Sequence, residues 1–323
     1  MLSRNAQGLY WMGRYLERAR HGCRLLSEQI AALEDQPVEQ IDSNWRRLYQ
    51  ALGRAPVAGN LTSNLDDDFM LADAYTLSDD LTFEPNNPDS IRNCVARARE
   101  NARQVRNIVP DSMWSCLNLA FLDLRGTSIE TIWNARPDMF YARTENTVRA
   151  FTGIAESVMY RDDAWQFLRL GRFIERAQLL AVLLDAQIEL YPTDDHHHES
   201  DWRSLLHICE AEFAYRRFYS LQHQPRRVVD FLVVDARLGH SIRHALAELI
   251  EALDVVSGGR PLEVPAGRRA GRLASRIDHD WPERDSDDDA ATRDALERIR
   301  QSWRHLHDDI AGTYFEYQIE DTP

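Results

Sequence analysis

The chain of 323 residues carries 38 basic and 52 acidic side chains, for a formal net charge of −14. That excess of acid argues against a nucleic-acid groove or a face for an anionic membrane, both of which rest on clustered positive charge. Every cationic side chain apart from histidine is arginine, which excludes lysine chemistry (Schiff base, phosphate loop, general base) and leaves permanently charged groups suited to clamping anions.

The first element is the clearest. Leu9, Met12, Leu16, Ala19, Cys23, Leu26, Ile30 and Leu33 recur at steps of three and four, which predicts an apolar stripe along a helix of about eight turns ending near Pro37. An arginine-rich helix follows, with Arg92, Arg97, Arg99, Glu100, Arg103 and Arg106. Arg92, Arg99, Arg103 and Arg106 share a broad face, where pairing with local acids competes with a role for an anionic ligand or an acidic partner. Tyr141, Thr144, Val148, Phe151, Ala155 and Val158 predict a helix that leads into a second long one. The stripe of that second helix is Phe167, Leu170, Ile174, Ala177, Ala181, Leu184 and Ile188, with Asp162 or Asp163 as cap and Pro192 as stop. A last helix is predicted from Leu296, Ile299, Trp303, Leu306, Ile310, Thr313 and Tyr317.

Breakers divide these elements at Pro85 to Pro88, Pro110, Pro137, Pro225 and Ser257-Gly258-Gly259. The β-favouring run Phe231-Leu232-Val233-Val234 is too isolated to build a sheet. Thr193 to Ser200, which contains His196-His197-His198, and Asp285 to Asp289 read as solvated connections. Arg260 to Arg276 holds five arginines around Gly and Pro, and reads equally as a mobile partner-binding loop or as a lid leading into a helix. No run approaches the ~18 apolar residues of a membrane span. Met1-Leu2-Ser3-Arg4-Asn5 leads straight into a charged helical pattern, so a cytoplasmic location is expected. Cys23, Cys94, Cys116 and Cys209 form no CxxC pair and no zinc spacing, and are expected to be free, partly buried thiols.

The two long helices match beyond apolarity. Gly13-Arg14-Tyr15-Leu16-Glu17-Arg18-Ala19 aligns with Gly171-Arg172-Phe173-Ile174-Glu175-Arg176-Ala177, 158 residues on. Trp45-Arg46-Arg47-Leu48 answers Trp202-Arg203-Ser204-Leu205, and Ser90-Ile91-Arg92 answers Ser241-Ile242-Arg243, in the same order. The expected fold is therefore all-α, a large helical bundle with an internal duplication of about 150 residues. Its expected units are 1–157 and 158–323, packed as one continuous bundle.

The Gly-Arg-aromatic-apolar-Glu-Arg-Ala element is where chemistry is sought. Tyr10, Arg14, Glu17 and His21 flank the first stripe, with Trp11, Tyr15 and Arg18 beside them. Glu17 is placed to pair with Arg14 at i−3, and Glu175 with Arg172. One reading is a buried ion network that locks the two units together. The other is a pocket in which arginines hold a carboxylate or phosphate between aromatic walls. The candidate ligand- or partner-binding set is Arg4, Tyr10, Trp11, Arg14, Glu17, Arg18, Arg99, Arg103, Arg172, Glu175 and Arg176. Adjacent histidines in a loop point apart, so no metal is expected at the triple histidine. GxxxxGK, GxGxxG, GxSxG and HExxH are absent from the sequence, and no cofactor is expected.

Met1-Leu2-Ser3-Arg4 and Leu9-Tyr10-Trp11-Met12-Gly13-Arg14-Tyr15-Leu16-Glu17-Arg18-Ala19 resemble the bacterial alpha-E family, a predicted helical domain with a Glu-Arg motif. Arg97 to Arg103, Arg161-Asp162, Leu170 to Ala177 and Phe231 to Asp235 carry the resemblance over essentially the whole chain. One departure is Leu238-Gly239-His240, where family members tend to have a bulky residue and Pro. The resemblance implies a context rather than a reaction. Members are encoded beside, or fused to, circularly permuted ATP-grasp enzymes, often with transglutaminase-like and proteasome-like proteins, in neighbourhoods taken to make and process peptide-like amide bonds. It implies an accessory subunit of an ATP-grasp ligase, whose partner supplies the nucleotide and magnesium binding that this chain lacks motifs for. The alternatives are an amide ligase or hydrolase in its own right, with Glu17 or Glu175 as general base, and a purely structural scaffold.

Overall fold

The computed structural model describes residues 1–35, 38–54, 67–195, 198–219 and 222–316, so Pro37, His196, His197 and Tyr317 lie outside the described residues. No described residue is in a strand. In chain order the helices are α1 (Ser3–Asp35), α2 (Val38–Ala51), α3 (Asp67–Thr82), α4 (Ile91–Gln104) and α5 (Asp111–Arg125). Then come α6 (Ile129–Trp133), α7 (Pro137–Val158), α8 (Asp163–Leu190), α9 (Glu199–Ile208) and α10 (Glu212–Phe218). The last are α11 (Pro225–Val234), α12 (Ile242–Val256), α13 (Pro265–Ser275), α14 (Trp281–Glu283) and α15 (Asp289–Tyr314). The protein is an all-α bundle.

Local chemistry sets the helix ends. Asp162 caps α8, its carboxylate accepting from the Ala164 and Trp165 amides at 2.9 and 3.5 Å. Ser90 and Ser241 cap α4 and α12 in the same way, accepting from the Asn93 and His244 amides. Pro137, Pro225 and Pro265 open α7, α11 and α13, where a missing N–H costs nothing. The run Phe231-Leu232-Val233-Val234 belongs to α11, with Phe231, Leu232 and Val233 buried, so tertiary packing overrides its β preference. Arg260 to Arg276 is a short 3-10 turn followed by α13.

The predicted stripes face the core, with exceptions at their ends. Val158 and Thr313 are exposed, so the stripes of α7 and α15 stop at Ala155 and Ile310. Thr193 and Asp289 are not the solvated connections the sequence suggests. Thr193 is buried, and its amide and hydroxyl donate to the Asp289 carboxylate at 2.9 and 2.5 Å, tying the end of α8 to the start of α15.

The two long helices organise the bundle. α1 runs along α8, with α4 and α7 on its flanks, while α12 and α15 take the matching flanks of α8. α5 joins α4 to α7, and α13 joins α12 to α15. α2 lies against α8 and α9 against α1, and their tryptophans, Trp45 and Trp202, are both buried. α8 is buried on nearly every side, as a helix covered by neighbours all round must be.

Two glycines set how closely α1 and α8 approach. A Cβ on Gly171 would overlap the Tyr10 carbonyl oxygen and stand 3.1 Å from the Tyr10 Cα. A Cβ on Gly13 would overlap the Leu168 carbonyl oxygen and stand 3.0 Å from the Arg172 nitrogen. Each glycine thus sits over the residue three positions before the other. Only glycine permits backbones this close. We predict that Gly171→Ala lowers the unfolding free energy by about 3 kcal/mol or more, the upper end for overpacking, because backbone cannot move aside as a side chain can. Denaturant melts check this, and a cost under about 0.5 kcal/mol would contradict it.

Candidate functional site

The glycine contact brings the two Glu-Arg elements face to face. Arg14 Nε donates to the Glu175 carboxylate at 2.5 Å and Arg18 Nε at 2.7 Å. In the opposite direction, Arg176 donates to Glu17 at 2.7 and 3.1 Å, and Arg172 Nε stands 3.7 Å from it. Each glutamate is held by the arginines three before and one after the other glutamate. The side chains of Glu175 and Glu17 are 3% and 9% exposed. Burial alone would raise both carboxyl pKa values, but the facing arginines outweigh it, holding Glu17 far below the usual carboxylate range and lowering Glu175 as well.

This pairing corrects one expectation. Glu17 binds Arg176 rather than Arg14, and Glu175 binds Arg14 and Arg18 rather than Arg172. The close backbone approach puts an acid of the other helix within reach of each guanidinium, and Arg14 is turned toward it by stacking 4.7 Å over Trp11. Tyr10 is fully buried against α15, donating to or accepting from His307 Nδ1 at 2.8 Å with the rings stacked. Arg14 and Arg176 are therefore buried against acids, and Arg18 and Arg172 partly buried against them.

Other members of the expected set lie elsewhere. Arg4 is exposed, nearly three turns before Arg14. Arg99 packs over Trp114 and Phe121 and donates to Asn118 at 2.7 Å. Arg103 is exposed in a bidentate pair with Glu100 at 2.7 and 2.8 Å. The arginines of α4 thus find separate local partners and share no ligand site. Of the three adjacent histidines only His198 is described, 3.5 Å from Asp195 and 3.3 Å from Asp201.

The clamp has two unlike ends. At the Glu175 end, Arg14 and Arg18 face Glu175 and Asp89, two cations for two carboxylates, and Arg14 also donates to Gln178 at 3.0 Å. The Glu17 end adds Arg20, His21 and Arg24 from the next turns of α1. The equivalent positions of α8 carry Gln178, Leu179 and Val182. Arg20 reaches Glu145 of α7 at 3.4 Å, Glu210 at 2.7 Å and His240 Nε2 at 3.2 Å. Arg24 stands 3.7 Å from Glu145 and 3.5 Å from Glu210, and Arg149 binds both acids. Arg176 also donates to the Gly239 carbonyl at 2.8 Å. The Leu238-Gly239-His240 turn thus closes this end.

Two histidines here are neutral. Burial, then the Arg24 guanidinium, pushes His21 down to about 4. Burial, then Arg176, pushes His240 well below its ordinary value. Since Arg20 can only donate, His240 Nε2 is the acceptor and the ring proton sits on Nδ1. Sequence reasoning named His21 and missed Arg20, Arg24, Glu145, Arg149, Glu210 and His240. The signal that finds Arg20 and Arg24 is the mismatch between the two long helices, read position by position.

A family model described as a predicted alpha-helical domain with a conserved ER motif matches residues 1–315. The chain belongs to the Alpha-E family. Similar curated proteins are an uncharacterized protein of Mycobacterium bovis and two of Mycobacterium tuberculosis, each 26% identical over 290 residues. Those matches cover 85% of this chain and 32% of each relative, so the chain spans about a third of the length of the curated relatives it matches. No solved structure matches it. In this Alpha-E chain Glu17-Arg18 and Glu175-Arg176 are the Glu-Arg pairs that meet at the helix crossing.

The neutral histidines give a pH dependence. The folded His21 pKa is pushed down to about 4 from the ordinary 6.5, so between these values the unfolded chain binds the extra proton and stability is lost as the pH falls. Around His21 stand Arg20, Arg24, Glu17 and Glu175. His240 and His307 act in the same direction and His207, raised by Glu28, opposes them. The fall in melting temperature from pH 7 to pH 5 is expected to be smaller in His21→Leu than in the native protein; an equal or larger fall would contradict this.

Proposed function

We propose that the chain is a non-catalytic or co-catalytic helical module that works beside a circularly permuted ATP-grasp ligase in forming peptide-like amide bonds. The observation that carries the non-catalytic part is the state of the two glutamates. Each is buried, each is engaged by two arginines of the other helix, and each has its pKa lowered, away from that of a useful base at neutral pH. A carboxylate so held braces a fold; it does not take up a substrate proton. The amide ligase or hydrolase reading, in which Glu17 or Glu175 is the base, finds no support in that geometry.

The ligase partnership rests on the family resemblance. It is supported by the lengths of the relatives, in which the matched part is 32% of the chain and leaves room for further domains. In the same reading the two helix groups descend from one duplicated unit of about 150 residues, with boundaries near 157 and 158, and the protein works in the cytoplasm, where ATP is available. The parallel caps of α4 and α12, and the reciprocal contacts of Gly13 and Gly171, support the duplication. A transglutaminase-like protein is a second partner to examine.

The test mixes the purified chain with the circularly permuted ATP-grasp protein of the same organism. Co-elution is expected, together with ATP-dependent amide formation that requires both proteins. Separate elution, with ligase activity unchanged by omitting the chain, would overturn the partnership.

A further inference from the structure

The Glu17 end of the clamp is built differently from its counterpart, and a brace alone does not explain the difference. Beyond Glu17 lies a small cleft of about 30 Å³ lined by Glu17, Arg20, His21, Arg24, Arg176 and His240, with apolar walls from α8 and α9. That is room for about one or two waters or one small polar group. We propose that this cleft binds a small oxyanion, the carboxylate or phosphoryl group of a ligand, using donors of Arg24 and His21 that have no hydrogen bond among the described residues.

Three observations carry this. The first is unmet hydrogen bonding. Arg24 is 8% exposed, and neither its Nη2 nor His21 Nε2 has a hydrogen-bond partner among the described residues. Arg24 Nη2 stands 3.5 Å from the Glu210 carboxylate, an ion pair without a hydrogen bond, so a buried donor on each side chain is left unmet, and an anionic acceptor is what satisfies both.

The second is charge. Arg20, Arg24, Arg172 and Arg176 stand against Glu17, Glu145 and Glu210, while Arg149 and Glu156, which also pair here, have side chains 46% and 53% exposed. The Glu175 end is balanced, and the whole chain is strongly acidic. A local surplus of one largely buried cation in an acidic protein favours an anion. Burial, joined by the Arg20 charge, pushes the Arg24 pKa down against the opposing pull of Glu210, the direction that an incompletely compensated cation takes.

The third is backbone strain. Glu210 has φ of 49°, in the left-handed region that favours glycine and is unfavourable for an L side chain. From that position its carboxylate reaches Arg20, Arg149 and the vicinity of Arg24, orienting guanidiniums at the cleft rim. Glycine there would relieve the backbone and lose the carboxylate. The strain is tolerated where the arginines are held.

Arg24→Val and His21→Leu install the residues found at the equivalent positions of α8, Val182 and Leu179. The purified full chain is titrated with sodium phosphate and, separately, sodium acetate by calorimetry, with sodium chloride holding ionic strength constant. Saturable binding of at least one anion is expected, weakened about tenfold by either variant, the loss of one charge-assisted hydrogen bond. Binding of phosphate alone assigns a phosphoryl ligand, and of acetate alone a carboxylate. Absence of saturable binding by both anions, or equal binding by native protein and a folded variant, would overturn the proposal. Should Arg24→Val fail to fold, His21→Leu still decides, because it removes no charge.

Discussion

Two helix backbones cannot pass within touching distance unless both lack side chains at the crossing, and Gly13 and Gly171 satisfy that condition for α1 and α8. The close passage has an electrostatic consequence. It brings Glu17 and Glu175 into the reach of arginines from the other helix, at separations of 2.5 to 3.7 Å, in a region from which water is largely removed. Burying four arginines and two carboxylates is expensive, and their attraction offsets the cost only when the geometry is good and the remaining donors are met. Asp89, Gln178, the Gly239 carbonyl and Glu156 meet most of those donors. The ion network therefore fixes the register and depth of the crossing more than it adds net stability. The other helices inherit their places from it, since α4, α7, α12 and α15 pack on the flanks of the same pair.

A reciprocal clamp would be complete without Arg20, His21 and Arg24. Their presence on α1, opposite Gln178, Leu179 and Val182 on α8, marks the point where two matching helices diverge. The divergence is joined by residues from three other parts of the chain, Glu145 on α7, Glu210 after α9 and His240 before α12. Symmetric features of this fold thus read as architecture, and the asymmetric end reads as the place where a ligand or substrate group meets the protein.

How much of this was legible in the sequence follows from the range of each interaction. The stripes of α1, α7, α8 and α15 were readable because helical periodicity is local, as was the cap at Asp162. The all-α fold followed from them. Pairing partners were not readable. Sequence shows that Glu17 has Arg14 one turn away, but whether it prefers Arg176 depends on a backbone contact between residues 158 positions apart. Arg24 and Glu210 are farther apart still, and nothing in local pattern links them. The arginines of α4 suggested a common face, yet the aromatic side chains of α5 take Arg99, Glu100 takes Arg103, the Phe83 carbonyl takes Arg92 and the Tyr15 ring takes Arg97.

A double-mutant cycle between Glu17 and Arg176, set beside one between Glu17 and Arg14, measures the clamp directly. Each cycle reads the change in unfolding free energy for the two single variants and the pair. The cross-helix pair is predicted to couple by roughly 1–3 kcal/mol and the same-helix pair by about 0.5 kcal/mol or less. Strong coupling within α1 and none between α1 and α8 would contradict the account.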